Sequence, residues 1–246
     1  MAEKTLTYRE QVDAKRILQM RAIVRELPQA CGDFLNGVAL TTGTFTRLAY
    51  AIDLRTFFQY LHSERVAWAD TPLTRVTDDM IAGVTKADLD AYTEYLTFYF
   101  RAEDQQKNDL SLAVVNHEKS IKRKLCALRS MYDYLYKCER IDHNVLELVS
   151  LPKIHEKPII RLDRSEMERI LYEASTGEGL TKRQQGYQKK TAKRDFALLS
   201  LFLGTGIRVS ECVGINLQDV DFEENAFLVT RKGGNQMVLY FPPEVA

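Results

Sequence analysis

Two cations sit where this chain interrupts its own secondary structure. Arg208 lies in Gly204-Thr205-Gly206-Ile207-Arg208-Val209-Ser210-Glu211, at a glycine-permitted break between two helical runs. A planar guanidinium held beside a helix start suits a phosphate, because its fork of donors matches phosphate oxygens and the free N–H groups of the first turn add positive potential. About twenty residues on, Val229-Thr230-Arg231-Lys232-Gly233-Gly234-Asn235-Gln236 reads as a strand, a glycine turn and a returning strand, which offers a second fixed cation in Lys232. Together they point to chemistry on a phosphodiester. Each also has a plainer reading. An arginine after a Thr-Gly break commonly caps a helix or pairs with a nearby acid, here Glu211; a lysine in a glycine turn is commonly just solvated; Glu211 is equally an ordinary first-turn carboxylate.

Two further clusters of positive charge could hold a nucleic-acid backbone. Between His117 and Arg129 stand Lys119, Lys122, Arg123, Lys124 and Arg129 against the single acid Glu118. Lys182, Arg183, Lys189, Lys190, Lys193 and Arg194 form the second, with no acid between Gly179 and Arg194. Phosphate contacts from such groups raise affinity without reading bases, and Lys119, Lys122, Arg123, Arg129, Lys189, Lys190 and Lys193 are the candidates for that role. The alternative is a solvated helix face for the first cluster, and a soluble insertion for the second.

Any such surface must be local. The 246 residues carry 34 basic and 34 acidic side chains, so no field of the whole molecule advertises an anionic partner. Apolar content of 45% with 28% charged residues is that of a soluble globular protein, and the length allows two modest cores. Cys31, Cys126, Cys138 and Cys212 show neither a CxxC pair nor histidines at zinc-like spacing, which predicts reduced thiols and no metal. The start lacks an apolar signal core, and no run approaches the ~20 apolar residues of a membrane span, so a cytoplasmic location and no membrane partner are expected.

The elements that must position these groups follow from periodicity. Helical spacing runs from residue 6 to 27 and stops at Pro28. Thr44 can cap a helix to about His62, with Ala51, Leu54, Phe58 and Leu61 on one face. Further helices are expected over Lys86 to Phe100, over Leu112 to Cys138 with the stripe Ile121, Leu125, Leu128, Tyr132 and Leu135, and briefly near Val145 to Val149. That makes an all-helical first half. Pro152 and Pro158 bracket an extended linker. Beyond it, a helix from Ser165 to Glu173 is capped by Ser165, a polar stretch follows over Gly177 to Arg194, and Phe196 to Leu203 is a buried helix. Alternation around Gly233-Gly234 gives an antiparallel hairpin.

In the order and spacing of these features the chain resembles the tyrosine recombinases of the lambda integrase family, in a Xer-like or mobile-element branch. Thr46, Tyr50, Asp53-Leu54, Phe57 and Leu61 fit the first helix of the family's core-binding domain. Asn144 to Lys153, with Pro158, Leu162 and Glu166, fits its interdomain linker and the entry to the catalytic domain. Gly204 to Glu211 fits the first arginine box, and Lys232 the hairpin lysine. The resemblance covers roughly residues 30 to 246.

That resemblance implies a mainly α fold: a helical, SAM-like core-binding domain over residues 1–151, a linker over 152–164, and over 165–246 the first part of an α+β catalytic domain with a small antiparallel hairpin. It implies that Arg208 neutralises the scissile phosphate, that Lys232 protonates the leaving 5′ oxygen, and that Glu211 supports the site. Arg231 stands where the family commonly has glycine, which leaves open which cation points inward. The family also requires a histidine-and-arginine box, a further histidine or tryptophan, and a tyrosine that forms a 3′-phosphotyrosine link. Here no histidine follows His155, the only tryptophan is Trp68, and the only tyrosine after Arg208 is Tyr240, where a structural residue is implied. The expectation is an integrase cut off within its catalytic domain, binding duplex DNA but unable to cleave it. The family works without metal or cofactor, as tetramers on paired sites, and assembly of this piece is left open. Two other readings stand: a non-catalytic DNA-binding regulator of a recombinase, and a helical interaction scaffold.

Overall fold

A computed structural model describes residues 6–101, 104, 107, 109–155, 158–231 and 233–245. The chain divides into two compact units, residues 1–156 and 157–246. Among the described residues no helix is long and apolar enough to cross a membrane.

The first unit is built on two long helices, α3 (Thr44–Glu64) and α6 (Glu118–Lys137). Around them stand α1 (Tyr8–Val24), α2 (Gln29–Gly37), α4 (Asp78–Ala82) and α5 (Lys86–Tyr95). The apolar stripes meet in one core: Leu54, Phe57, Phe58 and Leu61 of α3 and Leu125, Leu128, Tyr132 and Leu135 of α6 are all buried. Tyr132 is buried whole because its hydroxyl has a partner, donating to the Ile81 carbonyl at 3.0 Å. Arg140 ties three segments by donating to Asp78 from Nε (2.7 Å) and to Asp33 from Nη1 (2.8 Å). Those two carboxylates hold its guanidinium firmly charged.

The all-helical expectation needs one correction. Helix α5 stops at Tyr95, and β1 (Phe98–Tyr99) pairs antiparallel with β2 (Val114–Val115), Phe98 opposite Val115 and Tyr99 opposite Val114. Apolar spacing alone continues both flanking helices through these residues, whereas aromatic and β-branched side chains favour an extended backbone. Helix α6 consequently begins at Glu118 rather than near Leu112. Helix α1 stops at Val24, three residues short of the expected 27, and Pro28 is instead the N-cap residue of α2. Gly43 is the cap of α3, while Thr44 sits in its first turn and donates to Asp13 at 2.5 Å.

In the second unit α7 (Arg164–Thr176) lies against α8 (Lys182–Thr205). Asp163, not Ser165, is the cap of α7. Its carboxylate accepts from the Glu166 N–H at 2.8 Å, while Glu166 accepts in return from the Asp163 N–H at 2.8 Å. The polar stretch before Arg194, for which the sequence indicates no element, is the first half of α8, started by Thr181 with Gln184. Lysine, arginine and glutamine are good helix formers; Gly177 and Gly179 lie outside the helix, and the one glycine within this half, Gly186, is accommodated in it. Phe196 to Leu203 is helical but not buried as expected. Only Ser200 of α8 is buried, because the core beneath it is small: Ile207, Phe227, Val229 and Phe241, flanked by Leu201 and Phe202 of the helix. A three-stranded antiparallel sheet completes the unit, in the order β3 (Val220–Asp221), β4 (Ala226–Thr230), β5 (Gln236–Tyr240). The β4–β5 hairpin pairs Ala226 with Tyr240 and Thr230 with Gln236, and turns through Gly233 (φ 97°) and Gly234 (φ 89°). Side chains would be strained in those conformations.

Candidate functional site

Arg208 is positioned by the end of one helix and the start of another. Helix α8 terminates in the left-handed Gly206 (φ 64°), Ile207 anchors into the core, and Arg208 takes an extended backbone (φ −76°, ψ 149°) ahead of the single turn α9 (Val209–Cys212). Glu211 then fixes it twice. One carboxylate oxygen accepts from the Arg208 N–H at 3.0 Å and the other from its Nη1 at 2.9 Å. Glu211 is almost wholly buried, whereas the Arg208 side chain is 63% exposed. Of the five guanidinium donors one is used, so four remain for a ligand. The pairing expected under the plainer reading is present, and it orients the cation without hiding it. A four-residue α9 supplies little dipole, so attraction for an anion rests on the guanidinium itself.

A second cation approaches from the hairpin. The Glu211 carboxyl is held below the usual carboxylate range, first by the Arg208 N–H, against the opposing effect of desolvation, then by the Arg208 side chain and by the nearby charge of Arg231. Arg231 closes the base of the turn, its N–H donating to the Asn235 carbonyl at 2.7 Å. Its side chain is half-buried, with Nε shielded from solvent and lacking a partner. Lys232, the lysine singled out in the sequence, lies outside the described residues. Tyr240 is 71% exposed on β5, opposite Ala226.

The basic clusters divide. Lys189, Lys190 and Lys193 are exposed on α8. With Lys182 they form a stripe at helical spacing, Lys182, Lys189 and Lys193, beside a second made by Arg183, Lys190 and Arg194. The opposite side of the helix faces α7, where Gln188 donates to the Ala174 and Ser175 carbonyls at 3.0 and 3.1 Å. In the first unit Lys119 and Arg123 are exposed and Lys122 half-buried on α6. Arg129 has a different task. Its Nη2 donates to the carbonyls of Leu146 (3.0 Å) and Val149 (3.1 Å), and its Nε is buried, so the guanidinium closes the turn that follows α6. Lys124 is buried and points inward to Asp53.

The surroundings of two residues named in the sequence escape a reading of the sequence alone. Asp53 of α3 is fully buried and accepts from both terminal nitrogens of Arg123 and from Lys124 Nζ at 3.2 Å. A carboxylate four residues before Phe57, inside an apolar face, is the signal for it, since buried charges are paired. Arg231 stands out in the sequence only as a departure from a pattern; its closeness to Glu211 is tertiary.

A profile of the phage integrase family matches residues 161–246. The tyrosine recombinase XerC of Caldanaerobacter subterraneus subsp. tengcongensis is 30% identical over 238 residues, 93% of this chain and 59% of that protein. XerC of Pediococcus pentosaceus is 38% identical over half of this chain and 37% of its own length, and XerS of Lactococcus lactis subsp. cremoris 28% identical over 80% and 59%. The chain thus spans between about two fifths and three fifths of these relatives. Among solved structures, the Tn1549 transposon integrase in complex with circular intermediate DNA has the same fold, at a TM-score of 0.50 and 16% identity over 88% of this chain and 61% of that one. This chain belongs to the tyrosine recombinases of the phage (lambda) integrase family.

Proposed function

We propose that this chain is the DNA-embracing and phosphate-binding part of a site-specific recombinase, one that breaks and rejoins strands through a 3′-phosphotyrosine. The observation that carries the reading is Arg208: held at its backbone and at one guanidinium nitrogen by a buried carboxylate, yet 63% exposed with four donors free. Such a group meets a phosphate with little rotamer freedom left to lose, and charge-assisted bonds to negative charge developing on a phosphoryl oxygen contribute a few kcal/mol each. Lys232, next to Arg231 in sequence, supplies the proton to the leaving 5′ oxygen, a task that needs a lysine in close approach to the backbone. Glu211 orients Arg208. The nucleophile is not among these residues, and duplex DNA is the partner.

Contacts to the backbone come from Lys119, Lys122 and Arg123 on α6 and from Lys189, Lys190 and Lys193 on α8, while Arg129 serves the fold. The XerC and XerS relatives are recombinases, which favours this reading over the regulator or the scaffold. The test is strand exchange by a protein that carries these residues together with its tyrosine nucleophile. Arg208→Ala and Lys232→Ala are each expected to fold normally and to abolish exchange. Recombination retained by either variant removes that residue from the mechanism.

A further inference from the structure

Helices α3 and α6 meet at a charge cluster that the apolar stripes do not explain. Asp53 is fully buried; Lys124, 8% exposed, approaches one of its oxygens at 3.2 Å; Arg123 grips both oxygens, Nη2 at 2.8 Å from one and Nη1 in contact with the other. The Arg123 side chain is nevertheless 50% exposed. Two of its five donors are engaged, which leaves three, Nε included, outside the clamp. The charges sum to one positive unit, from one carboxylate and two cations. Because Lys124 is internal, the surplus is presented to solvent by Arg123. Lys119 lies one turn earlier on the same helix and Lys122 beside it, so the surplus joins a basic surface.

We infer that Asp53 is a positioning residue for DNA binding: its buried carboxylate fixes the Arg123 guanidinium so that the free edge meets a backbone phosphate. The inference rests on the DNA-binding reading above and adds to it a residue that never touches DNA. An unanchored arginine loses most of its rotamer freedom on binding a phosphate, whereas this one has lost it on folding. Counting charges gives the opposite expectation for Asp53, since deleting an acid from a DNA-facing surface should strengthen binding.

The test is a double-mutant cycle on binding of the full chain to a random-sequence DNA duplex. One background is the wild type. The other is Asp53→Asn/Lys124→Met, which removes one negative and one positive charge together, preserving net charge and stranding no buried ion. Circular dichroism and thermal melting establish that it folds. Arg123→Gln is then placed in each. The expected result is that the double variant binds about tenfold more weakly than wild type at equal net charge, the cost of re-fixing an arginine. Arg123→Gln should weaken the wild type at least as much and flatten its log affinity against log salt by about 0.9. Added to the double variant it should cost less than about threefold, since coupled residues are not additive.

Equal affinity of the double variant and wild type, with Arg123→Gln equally costly in both, overturns the positioning role and leaves the DNA reading standing. A wild-type chain without salt-dependent binding overturns the DNA reading, and the positioning role with it. If the double variant does not fold, Arg123→Lys in the wild type decides instead. Lysine keeps the charge but cannot form the fork, so a loss matching Arg123→Gln is expected, and wild-type affinity overturns the proposal.

Discussion

At the scale of single residues, one carboxylate of the second unit both starts a helix and holds a cation. Glu211 is depressed below the usual carboxylate range because its oxygens accept from Arg208. A carboxyl whose folded pKa lies below its unfolded value contributes stability above the unfolded pKa, and the contribution is lost as pH falls through the folded one. The urea midpoint of the chain should therefore drop on acidification through and below the ordinary carboxylate range, and Glu211→Gln should shrink that drop. Asp163 and Asp195 are depressed as well, so part of the acid sensitivity remains in the variant. An undiminished pH dependence in Glu211→Gln would contradict the assignment. The placement of Arg208 between two helices is legible from the sequence, because the glycines around it mark the break. Its partner Glu211 is legible as the plainer alternative, and the structure shows that pairing with the guanidinium still exposed. Asp53 and its grip on Arg123 are not, since α3 and α6 are far apart in sequence and only their packing brings the charges together.

At the scale of elements, the break that presents Arg208 depends on Gly206. Its left-handed φ of 64° ends α8, and a side chain there meets the following carbonyl. Gly206→Ala should destabilise the second unit by about 1–2 kcal/mol, read as a lower denaturant midpoint at unchanged slope. Neutral stability in that variant would mean the cap relaxes freely and does not fix the arginine. The hairpin is legible because alternation and two adjacent glycines leave few other conformations. The first half of α8 is not: a run rich in charge without an apolar stripe has no periodicity to detect, and the bonds from Gln188 to the end of α7 that order it are tertiary. As a helix it carries its cations in stripes rather than along a loose coil. Lys189→Gln/Lys190→Gln/Lys193→Gln should leave the fold unchanged and reduce the salt slope of DNA binding by up to about 2.7, about 0.9 for each phosphate no longer neutralised. An unaltered slope would return those lysines to the status of a solvated face.

At the scale of the whole molecule, equal numbers of acidic and basic residues argue against a partner attracted from afar. What the two units offer instead is cations fixed at particular places: Arg208 by Glu211 and Arg123 by Asp53. Composition hides this arrangement, because a carboxylate that anchors a cation cancels it in a charge count while leaving it exposed at a fixed place. Fold class is readable from helical stripes and one hairpin; the two-residue β1–β2 pair is not, being too short to leave a pattern. The central claim is that Arg208 engages a DNA phosphate, and it is tested most directly by affinity for a duplex over a salt series, for the wild type, Arg208→Ala, and Arg164→Ala as a control at a side chain 90% exposed. The predicted result is a slope reduced by about 0.9 in Arg208→Ala and unchanged in Arg164→Ala. Identical slopes for wild type and Arg208→Ala would contradict it.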